Sequence, residues 1–271
     1  MSRPISPEAA ELESITTPDV VVALAGGDTI TPVWKNQVGG LTFRLDNGRG
    51  TTRYVKWVAA ENPHLDLAAE AERLSWAQRW IQVPHVLDFG SDDDGAWLVT
   101  SAVAGRSAVD PRWAADPKTA ATAIGHGLRI LHDALPVDDC PFDWSVDARL
   151  ARARASLTDD AGLADRFSLD RYPGVTDPEA RVASPPPVDR MVVCHGDACA
   201  PNTMLHDDGT FAAHVDLDNL GTADRWADLT VGAWSTEWNY GPGYEHVVYE
   251  AYGVEPDPER IAYYRLLWDL T

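Results

Sequence analysis

The feature that most limits how this chain can fold is a change of hydrophobic period near Val103-Ala104-Gly105. Upstream of it, apolar and β-branched residues alternate with polar ones, the period of a half-buried strand. Strands are expected at Ile30–Asn36, Gly40–Leu45, Arg53–Ala59, His85–Phe89 and Ala96–Thr100, with turns at Asp46-Asn47-Gly48 and Asp92-Asp93-Asp94-Gly95. One helix interrupts them, Asp66–Trp80, with Leu67, Ala71, Leu74 and Ala77 at helical spacing. Downstream, Asp116-Pro117 opens a long helix reaching His132, because proline at a first helical position loses no hydrogen bond. Further helices are expected over Val146–Ser156, Ala223–Glu237, Tyr244–Tyr252 and Asp257–Asp269. Short strands are expected at Met191–Cys194, Thr203–Leu205 and Phe211–Asp216, and residues 157–190 read as an irregular Asp/Pro/Arg-rich insert. The order predicts an α+β chain with a strand-rich lobe over 1–102 and a helical lobe over 103–271. The hinge falls near Ser101–Ala104, and the seam is a natural ligand cleft.

Composition narrows the function classes. The formal net charge of −20 is opposite to that of a nucleic-acid binder; it suits a cationic ligand or a solvated acidic surface. No apolar run approaches the roughly 18–20 residues of a membrane span. The N-terminus lacks a basic start followed by an apolar stretch, and Cys140, Cys194 and Cys199 form a sparse, odd set. Both features point to a reducing, cytoplasmic location.

The strongest chemical signal is Val193-Cys194-His195-Gly196-Asp197-Ala198-Cys199-Ala200-Pro201-Asn202, with Asp216 fourteen residues further on at the end of an apolar-leaning run. Phosphoryl transfer needs a carboxylate to orient the attacking hydroxyl and take its proton, oxygen ligands for magnesium, and cations against the phosphates. His-x-Asp-x-x-x-x-Asn followed by a strand-borne Asp meets the first two needs. Asp197 stands at the base position and Asn202 and Asp216 at the metal positions. A His-Gly-Asp triplet alone would be read as a turn; the three residues in this order and spacing are far more specific.

Lys56, one of only three lysines, answers the third need. Alternation puts Val55 and Trp57 on one face of the strand and Lys56 on the other. A helix-borne glutamate must hold such a lysine, and Glu70 and Glu72 compete for that role. They lie about 200° apart around the helix, so both cannot face Lys56.

These residues resemble the aminoglycoside O-phosphotransferases, most of all the 3′-kinases of the kanamycin and neomycin group. The similarity runs over nearly the whole chain. It is carried by Glu70-Ala71-Glu72-Arg73-Leu74-Ser75-Trp76, Cys140-Pro141-Phe142-Asp143, His195–Asn202, Gly221–Asp228 and Arg260–Leu267. The resemblance implies a bilobal protein-kinase-like fold, with ATP or GTP as co-substrate and Mg2+ as cofactor. It favours Glu70 as the partner of Lys56. It also implies a nucleotide under a loop near Asn36–Thr42, with Thr42 included, and an adenine site at the hinge at Thr100 and Ala102. One departure stands out. The family pattern after the strand is Asp-x-Gly-Arg, whereas this chain has Asp216-Leu217-Asp218-Asn219, which puts the arginine's usual role in doubt.

A polyamine sugar needs carboxylates to meet its ammonium groups. The resemblance draws them from three places: the insert, with Asp170 the best match and Asp159 and Asp160 as others; the helix after the metal Asp, at Glu237; and the extreme C-terminus, at Asp269 and the α-carboxylate of Thr271. Trp238, beside Glu237, is the tryptophan expected to line the acceptor site. Asp224 and Asp228 flank Arg225 at helical spacing and are expected to brace the active-site loop. Cys194, His195, Cys199 and His206 fit no common zinc spacing.

The expected activity is transfer of a γ-phosphoryl group to an aminoglycoside hydroxyl, the 3′ position foremost, by a soluble monomer or dimer. Two rivals stand beside it: a kinase for another amino sugar or amino alcohol, and a nucleotide-binding module without catalysis, suggested by the Asp218-Asn219 departure.

Overall fold

The computed structural model describes residues 12, 14–36, 39–62, 65–155, 171–172 and 174–271. The chain forms two compact units, residues 1–104 with 214–218, and residues 105–213 with 219–271.

The first unit is built on an antiparallel five-stranded sheet in the order β1-β2-β3-β5-β4, from β1 Thr29–Lys35, β2 Leu41–Asp46, β3 Thr52–Ala59, β4 Val86–Ser91 and β5 Gly95–Ser101. Alternation sorts its two faces as the sequence requires. Phe43, Leu45, Val55 and Val99 are buried on one face against Val21 and Ala25 of a short helix, α1 (Asp19–Ala25). Each such side chain contributes about 1.5–3 kcal/mol of burial. Lys56 points to the other face, directly opposite Thr42 on β2 and Leu98 on β5. Helix α2 (Leu67–Ala77) packs along β4 and β5; it starts where the Asp66 carboxylate accepts the Ala69 N–H at 2.9 Å.

The second unit is mainly helical: α3 (Pro117–Ala134), α4 (Val146–Ala155), α5 (Trp226–Tyr240), α6 (Glu245–Tyr252) and α7 (Pro258–Leu270). Asp-Pro pairs set two of these starts. The Asp116 side chain accepts from Thr119 N, and that of Asp257 accepts from Glu259 N and Arg260 N. Helix α3 packs closely on α6, and Gly125 permits it: a Cβ there would lie 2.4 Å from the Val248 carbonyl oxygen. The core includes Ile124, Leu128, Leu205, Trp226, Tyr252, Tyr263 and Leu267. Short strands complete the unit. β7 (Met191–Cys194) pairs antiparallel with β10 (Gly221–Asp224), and β6 (Arg106–Ser107), β8 (Thr203–Leu205) and β9 (Phe211–His214) form a three-stranded sheet.

Three sequence expectations are corrected here. Ala223 and Asp224 belong to strand β10 rather than to a helix, because their backbone pairs with Val192 and Met191. The run expected as Phe211–Asp216 ends its strand at His214, since Asp216 takes a left-handed conformation with φ 64° that no strand accommodates. Within the supposedly irregular insert, Pro178–Val182 forms a short helix capped by Asp177; residues 156–170 lie outside the described residues. Among the described residues, no helix is long and apolar enough to cross a membrane.

Candidate active site

In the first unit, Lys56, Glu70 and Asp216 come together. The Lys56 ammonium donates to Glu70 Oε1 at 2.7 Å, to Glu70 Oε2 at 2.9 Å, and to Asp216 Oδ1. Glu70 is buried on the inner side of α2, whereas Glu72 is exposed, so the helix's rotation settles which glutamate meets the lysine. Burial pulls the Lys56 ammonium down, but the charges of Asp216, Glu70 and Asp218 outweigh it and hold its pKa above the usual lysine value. Burial pushes Glu70 upward against the opposing pull of Lys56. The lysine ammonium is therefore held between two carboxylates.

Asp216 is the one non-glycine residue with positive φ among the described residues. Left-handed backbone at a residue with a Cβ costs of order 1–3 kcal/mol and persists where surrounding contacts over-determine it. Here the contact to Lys56 and the fully buried Leu217 next along the chain are such contacts. Thr42 sits across from Lys56, and Thr100 across from Tyr54, on the same sheet face. Ala102 is exposed and donates its N–H to the Thr52 carbonyl at 3.2 Å. The turn between β1 and β2 is closed by Asn36, whose Oδ1 accepts the Gly40 N–H at 2.6 Å; residues 37 and 38 lie outside the described residues.

In the second unit, β7 runs straight into His195-Gly196-Asp197. The buried Asp228 of α5 holds this turn by its main chain: Oδ2 accepts from His195 N at 2.6 Å and Oδ1 from Gly196 N at 3.0 Å. His132 of α3 places Nε2 3.0 Å from the same Oδ2, with its Nδ1 3.0 Å from the Tyr252 hydroxyl. Burial raises the Asp228 carboxyl, but the hydrogen bond and charge of His132, the charge of His195 and the Gly196 N–H more than offset it, and the group stays below the ordinary carboxylate range. Gly196 has φ 85°, and a Cβ there would lie 2.2 Å from the Asn219 carbonyl oxygen; only glycine fits this crossing. Asp197 is partly buried and donates its N–H to His195 Nδ1 at 3.2 Å. The Asn202 side chain, 8% exposed, donates its amide to the Asp197 carbonyl at 3.0 Å and so ties the far end of the loop to its start.

Asp228 thus braces the loop, as expected, whereas Asp224 secures the turn into α5 and its neighbours. Asp224 accepts from Asp189 N, Trp226 N and Arg260 Nη1. His132, Cys194 and Asp228 also form a buried group close enough to share an ion. Both oxygens of Asp228 and both nitrogens of His132 are engaged in hydrogen bonds, so the group is a bracing network. At the departure from the family pattern, Arg152 of α4 donates to Asn219 Oδ1 at 2.6 Å, and Asp218 contributes negative potential at Lys56.

The residues expected on the acceptor side are placed as follows. Glu237 is exposed on α5, and Trp238, partly buried, packs at a tilt of 58° against Trp234 with ring centroids 4.8 Å apart. Near the end of α7, Asp269 Oδ2 accepts from Arg171 Nη1 at 3.1 Å and from the Tyr172 hydroxyl at 2.9 Å. The Thr271 hydroxyl accepts from Arg149 Nε at 3.2 Å and Nη2 at 2.9 Å. Asp159, Asp160 and Asp170 lie outside the described residues. Sequence reasoning passed over His132, Arg149, Arg171 and Tyr172. A histidine in the last turn of a helix and arginines beside an insert carry no spacing signal that separates them from surface charge.

Comparison with known proteins accords with this arrangement. Residues 30–264 match the model of the phosphotransferase enzyme family. An aminoglycoside 3′-phosphotransferase of Streptomyces fradiae is 40% identical over 223 residues, spanning 77% of this chain and 81% of that protein. The crystal structure of an aminoglycoside-3′-phosphotransferase of type VIII superposes with a TM-score of 0.74 at 30% identity, covering 93% of this chain and 98% of the other. The aminoglycoside phosphotransferase APH(3″)-Id from Streptomyces rimosus, in complex with ADP and streptomycin, gives a TM-score of 0.70 at 30% identity, covering 94% and 99%. With its antiparallel sheet, helical second unit and His-Gly-Asp loop, the chain has the protein-kinase-like fold and belongs to the phosphotransferase enzyme family, among the aminoglycoside phosphotransferases.

Proposed function

We propose that this protein transfers the γ-phosphoryl group of ATP or GTP to a hydroxyl of an aminoglycoside, the 3′-hydroxyl foremost. The observation that carries the reading is the Lys56–Glu70–Asp216 cluster: a lysine ammonium held between Glu70 and the carboxylate that stands at the metal position. Family membership supports the same reaction.

In this mechanism Asp197 orients the acceptor hydroxyl and takes its proton as the oxygen–phosphorus bond forms. The bond from the γ-phosphorus to the bridging oxygen breaks, and the nucleoside diphosphate leaves with that electron pair. Lys56 offers its ammonium to the phosphates, with Glu70 and Asp216 setting its position. Thr42, Thr100 and Ala102 line the nucleotide side. Asn202 and Asp216 supply a carboxamide and a carboxylate, an all-oxygen donor set that fits Mg2+. When bound, Mg2+ neutralises phosphate charge. The chain does the rest: Asn202 is oriented by its bond to the Asp197 carbonyl, and Asp228 aims the main chain that presents Asp197. Asp170, Glu237, Asp269 and Thr271 form the acceptor side. Dependence on a nucleoside triphosphate and three cysteines that form no disulfide among the described residues support a cytoplasmic setting.

The test is mass spectrometry of a kanamycin, neomycin and streptomycin panel incubated with the protein, magnesium, and ATP or GTP. Gain of one phosphoryl group is expected, and fragmentation reports 3′ against 3″. The Asp197→Ala variant should lose about 10²–10⁴-fold in kcat with nucleotide affinity retained. Full activity in that variant refutes the assignment. A second reading, a kinase for a smaller amino sugar or amino alcohol, is favoured by one observation: Asp269 is already engaged by Arg171 and Tyr172, which suits an acceptor with fewer amines. Efficient phosphorylation of a simple amino sugar, with none of the antibiotic panel, would select it.

A further inference from the structure

The carboxylate of Asp269 is not waiting in water. Its Oδ2 accepts from Arg171 Nη1 at 3.1 Å and from the Tyr172 hydroxyl at 2.9 Å. The ion pair is lopsided: the Asp269 side chain is 19% exposed and that of Arg171 is 49% exposed. A largely buried carboxylate needs a cation, because stripping it of both water and counter-charge is costly. A half-exposed guanidinium can leave, because it recovers hydration as it swings out. Tyr172 holds its proton, its phenol pushed upward by burial and by the charge of Asp269, so one donor stays when Arg171 departs.

The surrounding structure does not depend on this pair. The Thr271 hydroxyl is gripped by Arg149 and itself donates to the Leu267 carbonyl at 2.8 Å. Arg149 is buried beside Trp144 and Trp268, and burial pulls its guanidinium down to about 10. The end of α7 is thus anchored from α4, apart from Arg171.

We propose that Arg171 is an internal counter-cation for Asp269, a built-in stand-in for an acceptor ammonium group, and that it sets how tightly the enzyme takes amine-bearing acceptors. This deepens the acceptor assignment above and rests on it. An incoming ammonium replaces the guanidinium rather than meeting an empty carboxylate. Apparent acceptor affinity is reduced by the fraction of time Arg171 holds the site. Because the guanidinium half of the pair is solvent-accessible, the pair is modest in strength, so the reduction is about 2- to 10-fold at low salt and smaller at high salt.

The experiment measures KM for kanamycin and for ATP with the full chain. Arg171→Ala and Arg171→Gln should both lower the kanamycin KM by about 2- to 10-fold, with the ATP KM unchanged. Arg171→Lys, which keeps a cation, should stay near wild type. In an Asp269→Asn background the Arg171→Ala gain should vanish, since the two residues act through one contact. A raised or unchanged kanamycin KM in both neutral variants overturns the inference, as does a gain that survives in the Asp269→Asn background. Those results arise with an active wild-type enzyme. If the wild type phosphorylates neither kanamycin, neomycin nor streptomycin, the functional reading itself fails and this inference falls with it.

Discussion

Replacing Asp228 by asparagine tests whether the loop carrying Asp197 is held by a buried charge. The carboxylate, 1% exposed, accepts from His195 N, Gly196 N and His132 Nε2 at 2.6, 3.0 and 3.0 Å. Asparagine keeps one oxygen but turns an NH2 toward a donor on the other side. Hydrogen bonds to a charged acceptor contribute about 1.5–3 kcal/mol each, and an unsatisfied buried donor costs about 1–3 kcal/mol. With its oxygen at the Oδ2 position the side chain keeps two bonds, now neutral and about 1 kcal/mol each, while the Gly196 N–H is left unsatisfied, so the net loss is about 2–7 kcal/mol, centred on the 3–5 kcal/mol scale for breaking a buried charged network. Against a typical total of about 5–15 kcal/mol the variant still folds, with a melting midpoint lowered by roughly 6–20 °C. The same change frees the main chain next to Asp197, and a misplacement near 1 Å can cost about 10²-fold in rate. Urea melts read the first effect and kcat at saturating kanamycin and ATP reads the second. A stability change below about 1 kcal/mol, together with an unchanged kcat, would refute the bracing role.

Two further predictions follow from the same loop. Asp228 has a folded pKa below its unfolded value of 3.8, so its stabilisation is complete above about pH 4 and is lost as pH falls through the lower folded value. The stability gap between wild type and Asp228→Asn should therefore narrow in urea melts taken from pH 5 down toward pH 2, and a constant gap would contradict the linkage. Gly196→Ala adds a Cβ at φ 85° and 2.2 Å from the Asn219 oxygen; it should lose at least about 1–3 kcal/mol along with most activity, and a loss under about 0.5 kcal/mol would show that the crossing is not tight.

Much of the first unit was legible because its signal is local. Alternation in Arg53-Tyr54-Val55-Lys56-Trp57-Val58 decides which face each residue joins, and Asp66 marks the start of α2. The rotation that buries Glu70 and exposes Glu72 was not local, since both sit on the same helix and only packing against the sheet distinguishes them. Helix α1 escaped notice because Asp19-Val20-Val21-Val22 is β-branched and only seven residues form the helix; burial of Val21 and Ala25 overrides propensity there. Ala223 and Asp224 read as helix in the sequence because β10 is strand only through pairing with β7, some thirty residues earlier. The motif residues Asp197, Asn202 and Asp216 were legible by spacing, but not the left-handed backbone of Asp216. The bracing of His132 on Asp228 joins residues 96 positions apart, and nothing in either segment announces it.

The short stretch His214–Asp218 counts with the first unit, while the sequence on both sides of it counts with the second. Inheritance is affected. A hybrid gene spliced at residue 104 looks like a clean exchange of halves, yet it takes Lys56 and Glu70 from one parent and Asp216-Leu217-Asp218-Asn219 from the other. In this lineage, where the last two of those four depart from the usual pair, the lysine's electrostatic setting would change hands at a join more than a hundred residues away. Recombination that preserves activity has to carry residues 214–218 along with the strands they serve.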